Sequence, residues 1–96
     1  MTNLNSVLLE GKITQSAHEM NGLLYFELES LRTVKKDGAI GKERSTFNIM
    51  SPCIKHKDRL KKGLTVRLIG YLTARKSTVW VMAENIEISP MQEKYQ

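Results

Sequence analysis

The stretch Leu60–Leu72 constrains the fold of this chain more than any other. A basic segment ends at Gly63, and an alternating strand pattern starts immediately after it. One face of this strand consists of Leu64, Val66, Leu68, Gly70 and Leu72. Gly70 interrupts the apolar face, which predicts a bend, a bulge or a close approach between two backbones. A helix end that runs directly into a bent strand is typical of a corner in a small, closed β-barrel.

The same alternation predicts four further strands. Asn21-Gly22 is the turn signal of a hairpin between the first two of them. Residues 35–43 predict a loop, because Asp37-Gly38 favours a turn and the surrounding basic side chains cannot pack a core. The third strand has apolar residues on both faces, so the pattern leaves its inward face open. The predicted strands cover residues 5–15, 23–34, 44–51, 64–75 and 78–88.

Residues 53–62, which follow Pro52, predict a short helix that stops at Gly63. The resulting order is that of an all-β chain, a five-stranded OB-fold barrel with one short helix between strands 3 and 4. The open face of such a barrel binds oligonucleotides or oligosaccharides. We expect one domain over residues 1–90 and a short flexible tail at residues 91–96.

Charge is distributed unevenly along the chain. Residues 32–76 hold thirteen basic and three acidic residues, whereas the segments before and after carry net charges of −3 and −2. A basic middle between acidic ends predicts a face that binds a polyanion. The alternative is that these charges form an ordinary solvated surface, which a surplus of ten positive charges over forty-five residues makes less attractive.

Several functional classes find no support in the residues. No apolar run has the length of a membrane span, and the N-terminus lacks the pattern of a secretory signal. Cys53 is the only cysteine, which excludes an internal disulfide and suits a reducing compartment, so we expect a cytoplasmic protein. His18 and His56 lie in no metal-ligand spacing, and no phosphate-binding glycine loop occurs. We therefore predict no enzyme activity, no cofactor and no metal.

Three blocks of the sequence resemble the bacterial single-stranded DNA-binding protein family. Asn5–Ile13 resembles its opening strand pattern N-x-V-x-L-x-G-x-[LI], and Leu60–Leu72 resembles its L-x-K-G-x-x-V-x-V-x-G-x-L block. Ala83–Ile88 is similar to its closing A-x-x-[VI] strand. The blocks occur in the family's order and at compatible spacing. The resemblance implies an OB-fold and homotetramers or homodimers, with Ile69, Tyr71 and Trp80 as candidate interface residues.

The resemblance extends less well to the residues that bind DNA. The family stacks bases on aromatic rings at the end of strand 2, at the start of strand 3 and in the last hairpin. Phe47 matches the second position, whereas Val34 and Ser77 occupy the other two. The family's acidic, Phe-terminated tail has no counterpart in Met91–Gln96. The primosomal replication protein N family, a relative with the same barrel, also lacks that tail.

We predict a nucleic-acid site built from flexible cations and two rings. Phe47 is the first stacking candidate, with a place in the core as its alternative, and Trp80 is a surface platform or an interface residue. Tyr25 and Tyr71 suit subunit contact at least as well as nucleic acid. The basic side chains within the segment 55–62 suit a solvated helix face better than a second surface along which nucleic acid binds. The predicted site residues are Arg32, Lys35, Lys36, Lys42, Arg44, Phe47, Arg67, Arg75, Lys76 and Trp80.

Together with these residues, the family resemblance implies sequence-independent binding of single-stranded DNA in replication, recombination or repair, and hence a nucleoid-associated protein. The alternative is a primosomal-type accessory module that mainly docks replication or repair proteins, and an RNA-binding OB domain is a third option. No membrane partner is expected.

Overall fold

A computed structural model describes residues 4–88, which form five strands and one 3-10 turn. Residues 89–96, which include the predicted tail, lie outside the described residues. No helix within residues 4–88 is long and apolar enough to cross a membrane. The elements are β1 (Val7–Met20), β2 (Leu23–Lys36), β3 (Ala39–Ser51), the 3-10 turn Ile54–His56, β4 (Thr65–Arg75) and β5 (Thr78–Ile88).

The strands close into a barrel in the order β1-β2-β3-β5-β4. β1 serves two neighbours, because residues 7–12 pair with β4 and residues 12–20 pair with β2. A short parallel pairing of Ile49 with Val81 and of Met50 with Met82 joins β3 to β5 and completes the circle. This topology confirms the predicted five-stranded, all-β OB-fold.

Alternate residues of each strand fill the barrel. On β2, Leu24, Phe26 and Leu28 are buried, while the intervening side chains point outward and are half-buried. On β3, Ile49 faces the core, which settles the face that the sequence pattern leaves open. The buried cluster consists of Ile13, Ala17, Leu24, Phe26, Leu28, Ile49, Leu60, Val66, Leu68, Val81, Ala83 and Ile86.

Residues 35–43 are not the loop that the sequence predicts. β2 and β3 continue through this segment as a paired ribbon, from Leu24 opposite Ser51 to Lys36 opposite Ala39. Only Asp37 and Gly38 form the turn, with φ angles of +52° and +80°, as a type I′ hairpin requires. The loop prediction rested on basic residues being unable to pack a core. A two-stranded ribbon that projects into solvent needs no core, so that reasoning does not apply to it.

The helix predicted for residues 53–62 shrinks to the single 3-10 turn Ile54–His56. Cys53 at its start provides no side-chain cap, and its own N–H donates to the Ser51 hydroxyl at 3.1 Å. The end of the segment is held by β1 instead. The Ala17 N–H donates to the Leu60 carbonyl at 2.9 Å, and the Gly63 N–H donates to the Ile13 carbonyl at 2.8 Å. Leu60 is thereby fixed in the core, and Gly63 makes the turn into β4 with a φ of +94°.

Gly70 marks a close contact between two backbones, as its place on the apolar face predicts. A Cβ atom there would overlap the carbonyl oxygen of Met82, and the β4–β5 register shifts between Ile69 and Gly70. Gly11 has the same relation to the Glu29 carbonyl of β2. The strands of this small barrel approach too closely at these positions for any side chain.

Gly70→Ala is expected to lower the free energy of unfolding by about 1–3 kcal/mol, because β4 and β5 must separate to admit the methyl group. Urea denaturation measures the change. Gly41→Ala is the matched control, since a Cβ atom there meets nothing within 4 Å. We expect that control to remain within about 0.5 kcal/mol of the parent. Equal effects of the two substitutions would contradict the close-packing explanation.

Candidate nucleic-acid interface

Three rings form a row on the outside of the barrel. His18 of β1 stacks on Tyr25 of β2, with ring centroids 5.9 Å apart and planes inclined by 26°. Tyr25 also makes a T-shaped contact with Trp80 of β5, with ring centroids 5.6 Å apart and planes inclined by 80°. The row follows from local geometry, because the two-residue turn at Asn21-Gly22 places His18 directly opposite Tyr25 in the ladder. We call these three residues the ring row.

Met50 supports the ring row from the sheet. It lies directly opposite Tyr25 in the β2–β3 ladder and on the outward phase of β3, yet it is completely buried. A methionine in this position is therefore covered by side chains of the outer face and does not belong to the barrel core. Its flexible thioether suits irregular packing against aromatic rings.

Two recesses flank the rings. A smaller one, of about 100 Å³, is lined by the ring row, by Phe26 and by the polar residues Gln15, Ser16, Glu27 and Asn48. A larger one, of about 370 Å³, lies between Trp80 and the β4–β5 turn and is lined by Tyr25, Met50, Arg75, Lys76, Thr78 and Trp80. The structure thus brings Arg75, Lys76 and Trp80 together, three of the residues predicted for the site.

The turn that carries Lys76 has an unusual backbone. Lys76 and Ser77 have φ angles of +50° and +70°, the left-handed conformation that non-glycine residues seldom adopt. Positive φ at both central residues makes this a type I′ turn, whose twist matches the two strands that it joins. The tight connection predicted here is confirmed, and it holds Arg75 and Lys76 at the rim of the larger recess.

The β2–β3 ribbon divides its cations between two faces. By the strand period and the observed register, Lys35, Lys42 and Arg44 lie on the face that continues outward from Tyr25. Arg32 and Lys36 lie on the opposite face, together with Glu43. The predicted basic segment is therefore a rigid, two-sided structure, and only one side is continuous with the ring row.

Three of the predicted cations already have acidic partners. Arg32 pairs with Glu43 at 3.3 Å, Arg44 with Glu29 at 3.4 Å, and Arg67 with Glu10 at 3.3 Å. No ion pair within residues 4–88 involves Lys35, Lys36, Lys42, Arg75 or Lys76.

Arg67 lies apart from the other candidates. It occupies the outward phase of β4, opposite Glu10 of β1 and Glu87 of β5, and it lines neither recess beside the rings. The two flanking carboxylates make its surroundings acidic. The structure therefore does not join Arg67 to the ring row.

Phe47 shares the phase of Ile49 and packs against the core cluster, while remaining half-buried. Of the two interpretations that the sequence leaves open for this ring, the core position is the one that these contacts favour. A stacking role for Phe47 stays a prediction. The rings best placed for contact with a ligand are those of the ring row.

His18 and Tyr25 are not among the site residues predicted from the sequence. The register of the hairpin would have identified both, since a two-residue turn at residues 21–22 sets residue 18 opposite residue 25 on one face. No comparable signal in the sequence identifies Glu27, Asn48 or Gln15. Their grouping depends on β3 lying beside β2 and on two register shifts in the β1–β2 ladder.

No protein-family model and no curated protein matches this chain. Several solved structures do match it. The SSB of Plasmodium falciparum in complex with ssDNA aligns with a TM-score of 0.79 and 16% identity, over 93% of this chain and 97% of that one. The small single-stranded DNA-binding protein from Streptomyces coelicolor aligns with a TM-score of 0.74 and 14% identity, over 94% and 98% of the two chains. PriB from Ralstonia solanacearum aligns with a TM-score of 0.59 and 14% identity, over 91% and 100%.

This chain has the fold of single-stranded DNA-binding proteins. The resemblance predicted from its sequence is thereby confirmed at the level of the fold, and so is the structural link to PriB.

Tyr25→Ala is expected to shift the fluorescence emission of Trp80 to longer wavelength, because removing the adjacent ring opens the indole to water. Trp80 is the only tryptophan, so the signal reports on this position alone. We expect a loss of about 0.5–1.5 kcal/mol in stability from the ring pair, beyond the area that the ring buries. Tyr25→Phe keeps the ring and is the control. Identical spectra for the two variants would contradict the observed contact.

Proposed function

We propose that this protein binds single-stranded DNA without strong dependence on sequence. The observation that carries the proposal is the ring row, which lies on one face with cations that have no acidic partner within residues 4–88. Rings stack on bases of any identity, and cations follow the phosphate backbone. The similarity in fold to the P. falciparum SSB in complex with ssDNA supports the same conclusion.

Tyr25 and Trp80 are proposed as the stacking platform. Each base stacked on an aromatic ring contributes about 1–3 kcal/mol, so two rings provide a substantial part of the affinity of a short site. Their T-shaped contact leaves the two ring faces turned in different directions. Successive bases would accordingly stack on different surfaces, with the strand bending between them.

Phosphate contacts are assigned to Lys35 and Lys42 on the ribbon and to Arg75 and Lys76 beside Trp80. Arg44 lies on the same ribbon face but must first exchange the Glu29 carboxylate for a phosphate. An ion pair at the protein surface contributes only about 0–1 kcal/mol, so its loss offsets only part of what the new phosphate contact contributes. We accordingly place Arg44 among the contacts that form on binding.

Oligomer formation is part of the proposal. Leu8 of β1 and Ile69 of β4 are direct neighbours in the ladder, and they remain 70% and 49% exposed on the outside of the barrel. We propose this pair as the centre of a subunit contact in a homodimer or homotetramer, which leaves Trp80 free for DNA. A non-enzymatic role in replication, recombination or repair, in the cytoplasm and at the nucleoid, completes the proposed function.

The structural likeness to PriB favours one alternative, an accessory module whose main task is to dock replication or repair proteins. Affinity for nucleic acid distinguishes the two proposals. We expect oligo-dT to bind tightly, to quench Trp80 fluorescence and to show a steep dependence on salt. Titrations of oligo-dT, oligo-U and duplex DNA at several salt concentrations measure this. Negligible or equal affinity for all three would exclude the leading proposal, whereas preference for oligo-U would indicate an RNA-binding domain.

The two faces of the ribbon provide a matched pair of variants. Lys35→Ala with Lys42→Ala removes two cations from the face continuous with the ring row, and Arg32→Ala with Lys36→Ala removes two from the other face. For single strands, log K falls with log salt at about 0.7 per phosphate contact, so the first variant should reduce the slope by about 1.4. The second variant is expected to change it little. Equal changes in slope would show that the ribbon acts as a diffuse charge without a preferred face.

A further inference from the structure

A carboxylate lies within the face that we assign to a polyanion. Glu27 points outward from β2, two residues from Tyr25, and lines the smaller recess together with the ring row. The Thr14 hydroxyl donates to its Oε1 at 2.7 Å. Within residues 4–88, Oε2 has no hydrogen-bond partner and no cation pairs with the group. Because a carboxylate repels phosphate, Glu27 is not suited to contact the sugar-phosphate backbone of the DNA.

Its position differs from that of the neighbouring acid on the same face. Glu29 is engaged by Arg44 at 3.4 Å, whereas Glu27 is oriented by a neutral hydroxyl and keeps its full negative charge toward the recess. A hydroxyl donor fixes the direction of a carboxylate without neutralising it. The second oxygen thus remains available as a hydrogen-bond acceptor.

Asn48 completes the polar wall of the recess. It lies directly opposite Glu27 in the β2–β3 ladder, and its exposed amide has no side-chain hydrogen bond within residues 4–88. The recess volume of about 100 Å³ suits the edge of one base better than a whole nucleoside. A base stacked on Tyr25 or Trp80 would turn its hydrogen-bonding edge toward an oriented carboxylate and a free amide.

From this arrangement we infer that Glu27 and Asn48 read the edge of one stacked base and favour guanine over thymine. The inference rests on the proposed binding of single-stranded DNA. Guanine offers two adjacent donors, N1–H and the N2 amino group, to a carboxylate, and its O6 accepts from an amide. Thymine offers only N3–H, flanked by two carbonyl oxygens that the carboxylate repels. Backbone contacts and stacking carry the binding, and this pair adds a preference at one position.

The test compares affinities for three strands of equal length, namely alternating dT-dG, the same strand with hypoxanthine in place of guanine, and oligo-dT. Lithium salts prevent quadruplex formation by the guanines. Hypoxanthine keeps the ring system, N1–H and O6 but lacks the N2 amino group. We expect the parent protein to bind the guanine strand about fivefold or more tightly than the hypoxanthine strand, the lower end of the discrimination typical of a bidentate contact.

Glu27→Gln is expected to bring the ratio of the guanine and hypoxanthine affinities close to one, while binding to oligo-dT stays equal or becomes tighter as a negative charge is lost. Glu29→Gln removes the same charge two residues away and should preserve the ratio. Asn48→Ala, which leaves the carboxylate intact, should weaken binding of both purine strands, because both carry O6. If Glu27→Gln does not fold, Asn48→Ala provides the test. It should lower the affinity for the guanine strand relative to that for oligo-dT, and an unchanged relative affinity would overturn the inference.

A ratio near one in the parent protein, or a ratio that Glu27→Gln leaves unchanged, would overturn the inference. Either result with tight binding to oligo-dT would leave the proposed function intact. Failure of the parent protein to bind any of the three strands would instead overturn the proposed function itself.

Discussion

The barrel depends on two places where backbones touch without an intervening side chain. Gly11 allows β1 to lie against the carbonyl of Glu29, and Gly70 allows β4 to lie against the carbonyl of Met82. Because β1 must pair with β4 over its first half and with β2 over its second, it has to bend sharply around a narrow core. A small barrel closes only if the strand is permitted this bend. The interior is then filled by one compact cluster, with Leu60 contributed from the connection between β3 and β4.

That closure also creates the outer face on which the proposed function rests. His18 reaches Tyr25 only because the second half of β1 pairs with β2, and Trp80 reaches Tyr25 only because β5 is drawn to β3 by a parallel pairing of two residue pairs. The ring row thus joins β1, β2 and β5 across β3. Scaffold and site are not separable here, since a change that loosened the closure would also displace the rings.

The sequence predicted the scaffold well because its signals are local or periodic. Alternation located all five strands, and the Asn-Gly and Asp-Gly pairs lie at the observed turns. The prediction of a loop at residues 35–43 was wrong because it relied on their basic composition. Residues 35–36 and 39–43 instead pair fully in the β2–β3 ladder. The helix between β3 and β4 is present but is limited to Ile54–His56. The segment does not continue as a helix because the Leu60 carbonyl and the Gly63 N–H form hydrogen bonds with β1, a pairing that depends on the tertiary structure.

The site was less predictable because it depends on neighbours in space. The cations could be listed from the sequence, but not their division between two ribbon faces or the absence of Arg67 from both recesses beside the ring row. The family resemblance predicts base stacking on Phe47, which packs against the core. At the family's other two stacking positions this chain has Val34 and Ser77, which carry no ring. The ring row lies instead on β1, β2 and β5.

The charges on this face are better understood as a balance than as a positive patch. On this face Glu29 holds Arg44 of the ribbon in the unbound protein, and on the opposite face Glu43 holds Arg32, so two long cationic side chains are kept ordered at little cost in free energy. A phosphate that displaces Glu29 gains Arg44 but leaves a carboxylate unpaired beside the strand. The loss of the Arg44–Glu29 ion pair offsets part of the electrostatic energy gained from the phosphate contact. The net charge of the protein therefore overstates the strength of DNA binding. Affinity on this face therefore depends chiefly on the ring row and on the cations that have no carboxylate to displace, namely Lys35, Lys42, Arg75 and Lys76.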